Sequence, residues 1–144
     1  MSCSIDVNLM VEAVDAEGPR FARAQAFLFG VARDAAPVSL AWITLLSFVR
    51  MTTHRGILKR PLTHAQACEN VSALLALPQV RTIEETDGFW DAYREVTRDL
   101  DMHGKHVPDA HLAALLKVHG IRRFYTRDAD FRRYRFLDVV DPLV

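Results

Sequence analysis

The sequence predicts an α/β protein in which a central, mostly parallel sheet lies between two layers of helices. Short apolar runs with β-branched residues alternate along the chain with segments of helical periodicity, which is typical of strand–helix–strand units. A length of 144 residues suits a single domain, and we expect one over 1–144. Hydrophobic residues make up 50% of the chain, enough for a core that needs no disulfide or structural metal.

The first half of the chain is expected to contain one strand followed by four helices, each marked by a cap or by apolar residues at helical spacing. In order, these are a strand over Ser2–Asp6, a helix to about Val14, a helix introduced by Pro19 with Phe21, Ala24, Leu28 and Val31 on one face, a helix with Trp42, Leu45, Leu46 and Val49, and a helix that starts at the capping box of Thr63 and Gln66 and ends near Leu77.

The second half is expected to contain three strands and two helices. In order, these are a strand over Gln79–Ile83, an acidic helix with Phe89, Tyr93, Val96 and Leu100 on its apolar face, a loop over Met102–His106, a helix from Pro108 to His119 that Gly120 ends, and strands over Arg122–Thr126 and Phe136–Val140.

The charges balance, but they are unevenly distributed. The chain has 18 basic and 18 acidic residues, which argues against a generic nucleic-acid coat protein. Basic residues nevertheless concentrate in 50–60 and 117–135, and acidic residues concentrate in 84–101. Such a polarised surface can steer a polyanion in spite of the zero net charge, although ordinary solvated helix faces give the same pattern.

No segment suggests a membrane or an export route. No apolar run approaches the ~18 residues that a membrane span needs. The first residues lack a basic segment followed by an apolar one, so we expect no signal peptide and a cytoplasmic location. Cys3 and Cys68 fit no metal-ligand spacing, and we expect both to be reduced, buried thiols.

Three acidic residues stand where side chains from distant parts of an α/β protein meet. Asp6 and Asp128 follow predicted strands, and Asp109 lies in the first turn of the helix that Pro108 opens. Ligands of open α/β sheets bind outside the carboxyl ends of the strands. Because neighbouring carboxylates repel one another, such a cluster favours a hard divalent cation such as Mg²⁺, which can activate water against a phosphodiester.

The same acids have a purely structural alternative. Asp6 is also a suitable cap for the helix that follows it, and Asp109 suits any helix N-terminus. Spacing alone leaves both explanations open.

Several segments together resemble the PIN-domain ribonucleases of VapC-type bacterial toxins. They are "DVNL" after the first strand, "WITLLSFVRMTT", "PLTHAQA", "VPDAHLAALLKVHG", "YTRDADF" and the terminal "DPLV". Their order and spacing match over essentially the whole chain, and "PDAHLAAL" with "TRDADF" is the specific part. The resemblance implies a three-layer PIN-like fold and a Mg²⁺- or Mn²⁺-dependent endoribonuclease that a cognate antitoxin holds inactive.

The resemblance also implies roles for individual residues. Asp6 and Asp109 match the principal metal ligands, and Asp128 completes the pocket directly or through water. Asn8 and Thr126 match neighbouring polar positions that orient carboxylates or water.

One position departs from the family pattern. Many members carry a glutamate on the helix that holds "TLLSFVR", and this chain has Ser47 there. Ser47 is a candidate to hold water, and Asp130 is a candidate to supply the missing charge. The loss of one carboxylate favours one metal ion over two. It also motivates an alternative, a degenerate PIN module that binds a partner and cleaves nothing.

The remaining expectations concern partners. Arg50 lies one helical step beyond Ser47 and is a candidate phosphate ligand, with a surface ion pair as its structural alternative. The groove between the Trp42 helix and the Thr63 helix is expected to seat the antitoxin. Apolar helix faces suggest a homodimer. A phosphatase or receiver domain is disfavoured, because "DVN" lacks a second acid and no paired early acids are present.

Overall fold

The computed structural model describes residues 2–144 and contains a five-stranded sheet in which all neighbouring strands are parallel. The strands are β1 (Cys3–Ile5), β2 (Val38–Ala41), β3 (Val80–Ile83), β4 (Arg123–Tyr125) and β5 (Asp138–Val140). The helices are α1 (Val7–Glu12), α2 (Phe21–Arg33), α3 (Trp42–Thr52), α4 (His64–Leu75), α5 (Phe89–Thr97) and α6 (Val107–Val118). Short 3-10 turns cover Gly104–His106 and Ala129–Arg133.

The strand order β3-β2-β1-β4-β5 places the first strand at the centre of the sheet. The chain builds outward from β1 through β2 to β3, and then crosses to the other side of β1 to form β4 and β5. The direction of winding therefore reverses between β1 and β4. This reversal opens a crevice at the carboxyl ends of those two strands, which is where such sheets bind ligands.

Two hydrophobic clusters cover the two faces of the sheet and confirm the three-layer α/β/α architecture. One joins β1 and β2 to α1, α2, α3 and α4, with Leu9 and Phe48 at its centre. The other joins β4 to α5, α6 and the 3-10 turn at 129–133, with Phe124, Phe131 and Leu116 fully buried. Both faces of the sheet are thus covered, as a parallel sheet requires.

Several local predictions are confirmed and others are corrected. The capping box of Thr63 and Gln66 is present, and Gly120 follows α6 with a φ of 69°, a left-handed conformation that favours glycine. Strand β2 was not predicted, because its four residues are all buried and lead directly into α3 with no turn between them. The loop predicted over 102–106 contains a 3-10 turn.

The two thiols differ in environment. Cys3 is buried as expected, but the expectation for Cys68 was wrong, because its side chain is only partly buried on α4. The sulfur of Cys68 lies 3.7 Å from the imidazole nitrogens of His64, one helical turn away. Within residues 2–144, no helix is both long enough and apolar enough to cross a bilayer.

Candidate active site

Asp6 follows the central strand directly and is 8% exposed. Its Oδ1 accepts a hydrogen bond from the backbone N–H of Val7 at 2.7 Å and so caps α1. Its Oδ2 accepts from the hydroxyl of Thr126 at 2.6 Å, across the crevice between β1 and β4. Capping of α1 therefore occupies Oδ1 of Asp6, and Thr126, which lies 120 positions away in the chain, holds Oδ2.

Thr126 links the end of β4 to the turn that carries the next two acids. It is 1% exposed, and its Oγ1 accepts from the backbone N–H of Asp128 at 3.0 Å. Asp128 caps the 3-10 turn at 129–133, and its Oδ1 accepts from the N–H of Asp130 at 2.9 Å. One hydroxyl thus holds Asp6 and the backbone of Asp128 in a fixed relation.

Asp109 lies in the first turn of α6, directly after Pro108, and is half-buried. The pKa of Asp109 is raised to about 6, first by burial and then by the negative charges of Asp128, Asp6 and Asp130, while Arg133 partly opposes this rise. Burial likewise raises the pKa of Asp6, against the hydrogen bonds from Thr126 and Val7, and the charge of Asp128 adds to this rise. The fold therefore brings the charges of the four acids, which we call the acid cluster (Asp6, Asp109, Asp128 and Asp130), into mutual influence.

The acid cluster suits a cation that keeps much of its own hydration. Among residues 2–144, no three His, Cys, Asp or Glu side chains form a ready-made set of metal ligands. Mg²⁺ typically takes only one or two carboxylates and retains several waters. Asn8 donates from Nδ2 to Asp6 Oδ2 at 3.3 Å, and its buried Oδ1 has no hydrogen-bond partner. The donor set is therefore all oxygen, with one buried oxygen still unsatisfied, and it fits Mg²⁺ or Mn²⁺.

Ser47 and Arg50 are not tied to this cluster. Ser47 is half-buried on α3, which packs against α1, and within 2–144 no hydrogen bond joins its side chain to an acid. Arg50 is exposed in the last turn of α3, and no carboxylate in the described part of the chain pairs with it. Both stay predictions.

An ion-pair link that was not predicted from the sequence lies beside the acids. Arg127 stands between Thr126 and Asp128, and its guanidinium reaches Glu12 at 3.2 Å and Asp141 at 3.4 Å. It thereby joins the end of α1 and the C-terminal segment to the turn that holds Asp128. The partners lie 115 and 14 positions away, so no local spacing reveals the link.

A parallel three-layer sheet with an acid cluster at the reversal of winding defines the class of α/β protein to which this fold belongs. The chain belongs to the PIN domain family, whose pattern matches residues 5–137. It is 34% identical to Ribonuclease VapC48 of Mycobacterium tuberculosis over 142 residues, which span 99% of this chain and 98% of that protein.

Solved structures share the fold at lower identity. The toxin VapC20 of Mycobacterium tuberculosis, described as cleaving the sarcin-ricin loop, superposes with a TM-score of 0.68 at 19% identity, covering 96% of this chain and 99% of that one. VapBC2 from Rickettsia felis, bound to a DNA fragment from its promoter, gives a TM-score of 0.67 at 14% identity, covering 97% and 98%.

Proposed function

We propose that this protein is a metal-dependent endoribonuclease and the toxin component of a toxin–antitoxin pair. The observation that carries the proposal is the acid cluster, in which Asp109 has a pKa of about 6, raised by burial and by the charges of three other acids. The full-length similarity to Ribonuclease VapC48 supports RNA as the substrate class. Because the proposed substrate is cellular RNA, we also propose that the protein acts in the cytoplasm.

Asp6 and Asp109 are the proposed ligands of Mg²⁺ or Mn²⁺, and Asp128 completes the pocket. The chemistry that a divalent ion would supply there is polarisation of a phosphoryl oxygen and a lowered pKa for the water that attacks the phosphodiester. Asp130 adds negative charge where the family pattern has a glutamate and this chain has Ser47.

The surrounding residues keep the carboxylates in place. Thr126 donates to Asp6 Oδ2 and fixes the backbone of Asp128, so metal binding requires little reorganisation at either residue. Asn8 donates to the same oxygen of Asp6, which leaves its own Oδ1 to accept from water in the site. Arg50 is the proposed contact to an RNA phosphate.

Removal of divalent metal is expected to stop RNA cleavage. The reason is that the proposed attacking water needs a cation to reach a useful pKa near neutrality. Total bacterial RNA treated with the protein in EDTA should stay intact on a gel, and added Mg²⁺ or Mn²⁺ should restore cutting. Cleavage that continues unchanged in EDTA would contradict the mechanism.

Calorimetric titration with Mg²⁺ separates the enzyme from a degenerate PIN module that only binds a partner. The enzyme should show saturable binding of about one ion per chain, since Ser47 leaves one carboxylate too few for two tight sites. A protein that binds no Mg²⁺ and cuts no RNA would support the degenerate alternative, which Ser47 motivates.

An antitoxin is the proposed protein partner, and its proposed seat is an apolar groove between α2 and α4. The groove encloses about 330 Å³, and α1 and Phe48 of α3 form its floor. Phe29 on α2 lines it and is 60% exposed. This groove lies mainly between α2 and α4, whereas the seat expected from the sequence lies between α3 and α4 and stays a prediction. It suits the apolar face of an amphipathic helix.

Phe29→Glu is expected to weaken antitoxin binding at least about tenfold, because it places a charge against an apolar helix face. RNA cleavage by the free variant should be unchanged, so cleavage should persist at antitoxin concentrations that silence the wild type. Trp90→Glu is the matched control, since Trp90 is 64% exposed on α5, in the opposite layer. Equal inhibition of Phe29→Glu and the control would rule out this seat.

We also propose that two copies associate. The exposed side chains Trp42, Ile43 and Leu46 form an apolar stripe along α3, with exposed fractions of 42%, 40% and 63%. A second copy of this helix covers such a stripe without introducing new charges.

A further inference from the structure

A second cavity, which we call the β5 cavity, lies between α5, the end of α6 and the segment that leads into β5. It encloses about 330 Å³ and is lined by three basic side chains, Lys117, Arg133 and Arg135, by two acidic ones, Glu95 and Asp99, and by Tyr134 and Phe136 among the others. The basic side chains outnumber the acidic ones, and Glu95 is paired with Lys117. It lies on the side of the acid cluster, since Arg133, which lines it, follows Asp128 at the start of the 3-10 turn by five residues and influences Asp109 through its charge. No role proposed above uses this cavity.

The basic residues of the β5 cavity are well placed to bind an anion. Arg133 donates one N–H to the backbone carbonyl of Asp101 at 2.7 Å, and Arg135 is exposed. In the part of the chain that the structure describes, neither arginine forms an ion pair with a carboxylate. Their remaining N–H groups are therefore available to a phosphate, which guanidinium recognises with paired hydrogen bonds.

The wall between the two arginines carries aromatic and polar groups. Tyr134 is 2% exposed, and its buried hydroxyl has no hydrogen-bond partner. Phe136 lies next to it, with Lys117 Nζ 5.0 Å from the ring centre and paired to Glu95 at 3.6 Å.

We propose that the β5 cavity binds one nucleotide of the RNA beside the cleavage site, with its phosphate on Arg133 and Arg135 and its base against the partly exposed ring of Phe136. This inference rests on the proposed ribonuclease function and names a recognition site for it. Single-stranded or looped RNA offers splayed bases that stack on aromatic side chains, while phosphate contacts set the register. A cavity of about 330 Å³ lies within the range of small-ligand sites.

A titration with the four nucleoside 5′-monophosphates tests the cavity apart from catalysis. At least one should give saturable shifts in the amide NMR signals of residues 133–136, with a millimolar dissociation constant typical of one small contact surface. Arg135→Gln should weaken this binding about fivefold or more. Arg81→Gln is the matched control, since Arg81 is exposed on β3 at the opposite edge of the sheet, and should bind like the wild type.

Kinetics on an RNA that the wild type cuts give the second measurement. Arg135→Gln should raise KM about fivefold and leave kcat within about twofold of the wild-type value. The slope of the logarithm of RNA affinity against the logarithm of salt concentration should become shallower by about one. Arg135→Lys should recover part of the loss, because it restores the charge but not the paired hydrogen bonds.

Three outcomes would overturn the nucleotide assignment. These are shifts that never localise to the cavity, inorganic phosphate binding as tightly as every nucleotide, and a KM for Arg135→Gln equal to that of Arg81→Gln. A wild type that cuts no RNA would instead defeat the proposed function, and the nucleotide titration would still report on the cavity.

Discussion

Asp6→Asn is expected to lower RNA cleavage by about a thousandfold or more, equivalent to ~4 kcal/mol of transition-state stabilisation. The substitution removes the charge of a carboxylate that Thr126 and Val7 hold in the crevice between β1 and β4. An asparagine at this position keeps an oxygen for the N–H of Val7, so α1 stays capped. The thermal unfolding midpoint should therefore change little while toxicity is lost.

The experiment compares end-mapped cellular RNA after brief expression of each protein. Asp34→Asn is the matched control, because Asp34 also accepts a backbone N–H, from Ala36 at 3.1 Å, but precedes β2 at the amino edge of the sheet. The control should cut at the same positions as the wild type. If Asp6→Asn also did so, Asp6 would have no catalytic role.

Asp109→Asn is expected to abolish Mg²⁺ binding and to stabilise the metal-free protein at the same time. In the fold, burial and the charges of the other acids raise the pKa of Asp109 to about 6, above the ordinary value of 3.8. The ionised form is therefore disfavoured in the folded state. Removing this charge at pH 8 should therefore raise the free energy of unfolding by about 1 kcal/mol, or the thermal unfolding midpoint by ~3 °C. This figure allows for solvent screening of a half-exposed carboxylate and for the favourable interaction of its charge with the helix N-terminus.

The pH dependence follows from the sign of this shift. The folded protein binds a proton at Asp109 more tightly than the unfolded chain does. The contribution of Asp109 to the free energy of unfolding therefore falls as pH rises from about 4 to about 6. The gain in stability from Asp109→Asn should therefore be absent near pH 4 and reach its full size above pH 7. Added Mg²⁺ should reverse the order, because it stabilises only the wild type.

Thermal unfolding at pH 4 and pH 8, with and without Mg²⁺, checks these expectations. Asp91→Asn is the control, because Asp91 also lies in the first turn of a helix but on α5, outside the acid cluster. It should be neutral or slightly destabilising at both pH values, since it only loses a favourable interaction with the helix dipole. An Asp109→Asn variant that behaved like this control would contradict the electrostatic account.

Much of the fold was predictable because its signals are local. Thr63 and Gln66 mark the start of α4 within four residues, and Gly120 marks the end of α6. Strand β2 lacked such a signal, since a fully buried parallel strand shows no alternation of polar and apolar residues.

The candidate site was predictable in part for the same reason. Asp6, Asp109 and Asp128 each stand at a strand end or helix start, which are positions that sequence patterns can locate. Their mutual influence depends on a strand order that no spacing specifies, and it is supported here by the raised pKa of Asp109. The link from Arg127 to Glu12 and Asp141 had no local signal at all, because the fold alone brings these side chains together.

The central position of the first strand has a consequence for synthesis of the protein. A nascent chain makes β1 at the start of translation, but β4, which completes its pairing, is made only near the end. Until Thr126 has left the ribosome, Asp6 lacks the hydroxyl that fixes it, and Asp128 is not yet free to join the acid cluster. If the acid cluster is the catalytic site, as proposed, a partly translated chain leaves the RNA of the machinery that makes it uncut, and a premature stop before residue 123 is expected to yield an inert product.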